Sequence, residues 1–579
     1  MPNYLKRMLA VGAAASLAMG LAACGGGSDD DPGSSPTDGT GAAEAGGTLT
    51  YLQHYPFESA DPQRIYYGLQ LANFKRTIYR SLVSFPITED EVEAATPRPD
   101  LATDTGTPNE DASSWTFTIK DGVKWEDGSD ITCEDFRYGA SRVFANDLIT
   151  GGPNYILSYL DVEDYPGPYK ATAEQQAAFD EAIQCDGKTI TYNFNKPWAD
   201  FPLAVASLTM MDPFKKSEDQ GAKSTWNVFA NGPYKVEGGV WDKNKGATLV
   251  RNTEYDPATD DQEVRKALPD TINYEINTSE TSVELIIDRL IADSGDDQYA
   301  VAAPNIPPTR FSAIQGPVAD RAVSTLSPYN FYLVPNMKSM DNVEVRRALA
   351  TATNLDGVVK ARGGDLAATV ADSIVNVGVT GYQPNPAFAD ANPVGDSEAA
   401  KGMLEAAGVD MPYPIQFTYS SSETNDQIAA VLKEGWDAAG FETTLDPLTD
   451  TYYDVISKPE KDSDVMMAGW GADWPSAMTV TPPLFDSRPN FSSTTCGQDY
   501  GCYQSDEFEA LVDEAANSTD IESQAAVLAE ADAVLGEDVA YIPLYVLKNY
   551  YLRGSKVTGY VVTPSTSMYP DLGAIGVEQ

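Results

Sequence analysis

An α/β fold in several packed units is what the sequence predicts, and three observations carry that expectation. From Gly46 onward roughly 530 residues follow a polar leader, more than one hydrophobic core holds. The second half alternates helix-period and strand-period segments, and within it "PIQFTYS" and "FETTL" flank one amphipathic helix. The first half instead shows apolar residues at every second position between turn signals, as half-buried strands do.

"GGTLTYLQHY" opens the body as a strand. "SADPQRIYYG" reads as a turn into a helix that continues through "LQLANFKRTIYRSLVSF". In residues 115–144, Trp115, Phe117 and Ile119 alternate with Thr116 and Thr118, which predicts a strand. Asp121-Gly122 then predicts a tight turn, with Val123-Lys124-Trp125 returning as the second arm of a hairpin. Asp127-Gly128 turns again. Thr132 and Asp135 have the spacing of a helix cap, and Phe136, Gly139, Ala140 and Val143 share one face of the helix that follows. Strand alternation returns at Ile190, Tyr192 and Phe194, and Pro197 ends it. "ANGPYKVEGGVWDKNKGATLVRN" reads as a turn and two strands of a meander, ahead of an acidic, turn-rich stretch at 253–270.

Further on, Asp341 or Asn342 caps a helix whose buried face is Val345, Ala348, Leu349 and Ala352. Ala400, Met403, Leu404 and Ala407 mark a second helix, stopped by Gly408. Ile428, Val431, Leu432, Gly435 and Trp436 mark a third, closed by Gly440 and set between two strands as a βαβ unit, so those strands should be parallel. "DVMMAG" is another buried strand and runs straight into "GWGADWPSAM", residues 469–478. Ligands of α/β sheets collect beyond the carboxyl ends of strands, and that is where Asp473 falls, between Trp470 and Trp474. A carboxylate among indoles is costly without a cationic partner, so the motif asks for one. A loop cap or a local arginine partner is the structural alternative.

The N-terminus places the protein. Lys6 and Arg7 precede an apolar stretch, Met8 to Ala22, too short to span a membrane, that ends in Leu21-Ala22-Ala23-Cys24. Residues 1–23 read as a signal peptide resembling a bacterial lipobox, with Cys24 the acylated new N-terminus. Ordinary cleavage would leave Cys24 an incidental thiol. Residues 24–45, made of Gly, Ser, Thr, Pro, Asp and Ala types with a single Glu, form a flexible tether. The predicted location is extracytoplasmic, on the outer face of the cell membrane, held through the lipid.

Net charge is −47 and repels phosphate backbones, which excludes nucleic acid as a partner. Four cysteines remain, Cys133, Cys185, Cys496 and Cys502, an even number in an exported chain and hence two disulfides. Close spacing favours Cys496–Cys502 and leaves Cys133–Cys185, although three pairings are open. None of the four has metal-ligand spacing. His54 is the single histidine, and neither a nucleophile elbow nor a phosphate-binding loop occurs. The expectation is a binder without metal or cofactor, not an enzyme.

"WTFTIKDGVKWEDGSDITCEDFRYGASRVF", "NGPYKVEGG", "RNTEY", "VEVRRALATATN", "AKGMLEAAG", "DVMMAGWGADW" and "YIPLY" occur in that order from Gly46 to about Tyr545. Together they resemble the extracellular solute-binding proteins of peptide ABC transporters, family 5, the oligopeptide- and dipeptide-binding type. The resemblance implies a two-lobed, periplasmic-binding-protein-like clamp (type II, cluster C-like) with an extra domain inserted in lobe 1. It divides the chain into lobe 1 at 46–84, 206–308 and 546–579, the inserted domain at 85–205, and lobe 2 at 309–545. It implies a monomer that captures oligopeptides and hands them to the permease and ATPase subunits of a transporter. Asp473, in Trp470-Gly471-Ala472-Asp473, inherits the role of holding the peptide ammonium. Gly469 and Gly471 would pair with the peptide main chain, and Trp470 and Trp474 would neighbour the cleft. Where the family continues with a second aspartate and a proline, this chain has Ser476-Ala477, which bears on how the next loop is braced. Within the same fold, relatives bind nickel, heme, opines or oligosaccharides. The lone His54 disfavours nickel, and an oligosaccharide or other small solute is the alternative ligand. A secreted hydrolase or a surface adhesin would leave Asp473 or the cleft without a purpose.

Overall fold

The three larger of five β-sheets organise the chain in the computed structural model, which describes residues 45–276 and 282–579. The signal peptide, Cys24 and the tether as far as residue 44 lie outside the described residues. All described residues belong to one compact unit, Thr40–Gln579.

The sheet of lobe 1 runs in the order Ala300–Ala302, Thr48–Gln53, Thr271–Ile276, Gly246–Arg251, Tyr234–Val236. Thr48–Gln53 is parallel to both of its neighbours, and the last three strands form the expected antiparallel meander. Leu49 and Tyr51 enter the large core on one side, and Leu52 enters a smaller core on the other. The helix expected to run on to Phe85 covers only Gly68–Thr77. Its next carbonyl, that of Ile78, accepts the N–H groups of Asn231 and Gly232, and the Arg80 N–H donates to the Asn231 side chain at 2.7 Å. A distant turn has taken the backbone groups the helix would have used.

The inserted domain has a four-stranded antiparallel sheet in the order Thr107–Pro108, Ser114–Thr118, Thr189–Asn193, Ile183–Asp186. Trp115 and Phe117 are buried as their alternation requires. The expected hairpin does not form. Gly122 makes a turn, but the edge of Ser114–Thr118 is occupied by Thr189–Asn193, and Trp125 leaves the sheet to lie buried beside Phe229, ring centroids 5.6 Å apart. The Asp135 carboxylate caps helix Cys133–Val143, accepting the backbone N–H of Thr132 at 2.8 Å and its hydroxyl at 2.9 Å. Phe136, Gly139, Ala140 and Val143 are buried on that helix. Cys133 and Cys185 form a disulfide that ties the helix to the sheet's edge strand. One hydrophobic core serves lobe 1 and this domain together.

Lobe 2 is built on a six-stranded sheet in the order Ala368–Val370, Ile542–Leu552, Ala322–Pro335, Val465–Gly471, Tyr413–Ser420, Phe441–Leu448. Alternate residues enter opposite cores. Leu333, Val465 and Met467 face one, while Tyr332, Val334, Met466 and Ala468 face the other. Tyr413–Ser420 and Phe441–Leu448 are parallel, joined through helix Glu423–Ala439 as the βαβ pattern requires. Asn342, not Asp341, caps helix Val343–Ala352, accepting from the Glu344 N–H at 3.0 Å. In helix Ser397–Ala407, Ala400 and Leu404 are buried but Met403 is exposed, because the helix meets the lobe along a narrow stripe. Cys496 and Cys502 form the second disulfide.

Two long strands connect the lobes. Ile542–Leu552 begins in the lobe 2 core at Ile542 and Leu544, runs across residue 545, and ends at Leu552 in the small core of lobe 1. Its partner Ala322–Pro335 pairs with it in three stretches, with irregularities between Leu326 and Asn330 and between Phe331 and Tyr332. The result is a two-lobed α/β clamp with a domain inserted between the first and second strands of lobe 1 in chain order.

Candidate binding cleft

Strand Val465–Gly471 positions the site. One edge is fully used, since Gly469, Trp470 and Gly471 pair with Phe331, Asn330 and Tyr329. The other edge meets Tyr413–Ser420 only at Val465 and Met466. Beyond Met466 that edge has no strand partner among the described residues, so its main-chain groups can take one. Gly469 and Gly471 are close to rings of the neighbouring strand. A Cβ at Gly469 would lie 2.9 Å from the Phe331 ring, and one at Gly471 2.7 Å from the Tyr329 ring. Neither position has room for a side chain beside these rings.

Past the strand, Asp473 turns into a cavity of about 190 Å³ between the lobes. Lobe 1 contributes helix Gly68–Thr77 and the 564–568 turn to its wall. Lobe 2 contributes 471–475, 376–379 and Ser327-Pro328-Tyr329, the residues of the first strand irregularity. Ser567 and Met568, on this wall, hold left-handed backbone at φ 52° and 59°, which is uncommon for non-glycine residues.

The Asp473 carboxylate has no basic side chain within ion-pair distance among the described residues. Its Oδ2 accepts two phenols instead. Tyr66 of lobe 1 donates at 2.8 Å, and Tyr155 of the inserted domain donates from the other side. The Asp473 backbone N–H donates to Thr479 Oγ1 at 3.2 Å. Burial pushes the carboxyl above its ordinary value of 3.8, and the hydrogen bonds from Tyr155 and Tyr66 offset part of that shift. Burial and the Asp473 charge both raise the two phenols, so they remain donors. Oδ1 has no hydrogen-bond partner among the described residues.

The two tryptophans part company. Trp470 donates its indole N–H to the Thr479 carbonyl at 2.8 Å and packs on a lobe 2 core, away from the cavity wall. Trp474 borders the cavity but is 2% exposed, and it inserts into the core shared by lobe 1 and the inserted domain. Its ring meets Tyr155 edge-on at 4.8 Å, and its N–H donates to Asp200 Oδ2 at 2.5 Å. Asp200 is itself buried with its other oxygen unpartnered, and burial raises its carboxyl. The loop with Ser476-Ala477 is braced locally. Ser476 Oγ accepts the Met478 N–H at 3.2 Å, and Thr479 Oγ1 donates to the carbonyls of Ser476 and Trp474.

Tyr66, Tyr155 and Asp200 are the residues that sequence reasoning missed. They lie 407, 318 and 274 positions from their partners, and none sits in a motif. "IYYG" ahead of the first helix was the only local hint, two tyrosines at a helix entrance.

The profile of the family described as bacterial extracellular solute-binding proteins, family 5 Middle, matches residues 96–492. The oligopeptide-binding protein OppA of Bacillus subtilis is 22% identical over 484 residues, covering 80% of this chain and 82% of that protein. The periplasmic oligopeptide-binding protein OppA of Salmonella typhimurium is 24% identical over 529 residues, covering 87% and 88%. Among solved structures, clavulanic acid biosynthesis oligopeptide binding protein 2 superposes with a TM-score of 0.83 at 25% identity, covering 93% of this chain and 97% of that one.

Proposed function

This chain belongs to the bacterial extracellular solute-binding proteins, family 5, which bind substrates and are not enzymes, and on that premise we propose that it captures oligopeptides for an ABC transporter. The names of the three relatives, oligopeptide-binding in each case, support the ligand class. A lipid on Cys24 holds the receptor on the outer face of the membrane, and the permease and ATPase subunits receive its cargo. The single observation that carries the proposal is the state of Asp473. It is a carboxylate in the interlobe cleft with one oxygen capped by phenols from two other parts of the chain and the other oxygen open. A peptide ammonium placed on Oδ1 supplies the missing cation. The main chain behind it continues along the open edge at Gly469–Gly471 as an added strand.

The test is a cycle of four titrations: wild type and Asp473→Asn, each with a free and an N-acetylated peptide. Removing one member of a buried ion pair typically costs about 3–5 kcal/mol. Either change alone should therefore lower affinity by roughly two to three orders of magnitude. The two losses should not add, since they delete one contact from opposite sides. Equal binding of acetylated and free peptide by wild type would make Asp473 a structural acid.

A further inference from the structure

The cleft is lopsided in charge. Among the described residues three side chains of formal charge line it, Asp473, Lys75 and Arg76, and the two cations are next to each other on helix Gly68–Thr77. Both look like counterparts for a ligand carboxylate, yet neither is free. Arg76 is 2% exposed and spends every guanidinium N–H. Its Nε and Nη2 donate to the two oxygens of Asp571 at 3.1 and 3.0 Å. Its Nη1 donates to the carbonyls of Phe85 and Val264 at 2.7 and 3.0 Å, and Nη2 also reaches the Pro86 carbonyl at 3.5 Å. Lys75 is 4% exposed, donates to the carbonyls of Val205 and Leu208 at 2.9 and 2.8 Å, and faces Asp212 at 3.6 Å. A ligand carboxylate could recruit either cation only by breaking a buried pair and stranding Asp571 or Asp212. The rest of the wall, as far as the described residues form it, is neutral: aromatic rings such as Tyr66, Phe85 and Tyr329, aliphatic residues, serines and Asn376. Residues 277–281 carry no basic side chain.

We infer that the cavity selects ligands that bring a cation to Asp473 and no anion with it. These are peptides whose carboxylate is amidated or carried out of the cavity by a longer chain, in preference to amino acids and short free-acid peptides. A tripeptide held at Asp473 carries its carboxylate at most about 10 Å away, where the described wall offers no free counter-ion. The net charge of −47 acts in the same direction at long range, drawing cationic peptides toward the protein.

The inference rests on Asp473 as the ammonium site, and three probes separate the two claims. Trialanine, trialanine amide and N-acetyl-trialanine amide are titrated calorimetrically into the mature protein at neutral pH. The amide should bind at least about tenfold more tightly than the free acid, and acetylation should remove most of that binding. If the free acid binds as tightly as the amide while acetylation still abolishes binding, the charge selection is overturned and the ammonium site stands. If the acetylated amide matches the free-amine amide, the ammonium site falls and the inference falls with it. No measurable binding of the amide overturns the inference as well.

Discussion

Trp474→Phe should weaken ligand binding without weakening either lobe. Trp474 belongs to lobe 2 by chain, yet its ring is buried in the core of lobe 1 and the inserted domain, and its N–H satisfies a buried, uncompensated Asp200. That contact exists only when the lobes are together. If the lobes swing apart, Asp200 regains water, so the loss falls on closing and not on folding. A hydrogen bond to a charged group contributes about 1.5–3 kcal/mol, and phenylalanine keeps most of the ring but not the donor. Taking about 2 kcal/mol, affinity should drop about thirtyfold, with the melting temperature of the empty protein nearly unchanged. Calorimetry measures the first quantity. Solution scattering measures the second consequence, a larger radius of gyration for the ligand-free variant that still contracts at saturating peptide. Asp200→Asn is the counter-experiment. It keeps a carbonyl acceptor for the indole while removing the buried charge, so closing should become easier and affinity should not fall. Wild-type affinity in Trp474→Phe would show that the contact does not gate closing.

Peptide affinity should decline as pH falls, beginning above the ordinary carboxylate value of 3.8. The raised Asp473 carboxyl protonates earlier than a solvated one, and its neutral form cannot pair with an ammonium. Titrations between pH 7.5 and 4.5 should show this slope in wild type and a flat profile in Asp473→Asn. All four of Cys133, Cys185, Cys496 and Cys502 should be unreactive toward thiol reagents in denatured, unreduced protein. Replacing Cys133 and Cys185 by serine should cost about 4 kcal/mol, against about 2 kcal/mol for Cys496 and Cys502, because the loops closed are 52 and 6 residues long. Scanning calorimetry compares the two pairs. Cys24→Ser should release mature protein into the medium or leave an unprocessed precursor, and membrane partitioning of a mature Cys24→Ser species would exclude the lipid anchor.

Local chemistry made the regular elements legible in the sequence. The Thr132–Asp135 cap, the 345/348/349/352 helix face, the terminators Gly408 and Gly440 and the alternation at Trp115 and Phe117 depend on neighbours within a turn or a strand. The βαβ unit of lobe 2 was legible for the same reason, since its helix and both strands are consecutive. Where the sequence misled, a distant segment had claimed the backbone. Asn231 and Gly232 ended the first helix at Thr77, and Thr189–Asn193 took the edge on which Trp125 was expected to return.

The sequence by itself determined that Asp473 stands beyond a buried strand among indoles, in need of a cation. Tertiary structure alone decided what surrounds it. Two phenols from segments more than three hundred residues away cap one oxygen, Trp474 faces away into another lobe's core, and the two cations on the cavity wall are consumed by Asp571 and Asp212. Covalent neighbours set helix and strand, whereas the charge balance of a cleft is the sum of side chains brought from both lobes. That sum is defined only once the strands at Ala322–Pro335 and Ile542–Leu552 have carried the chain across.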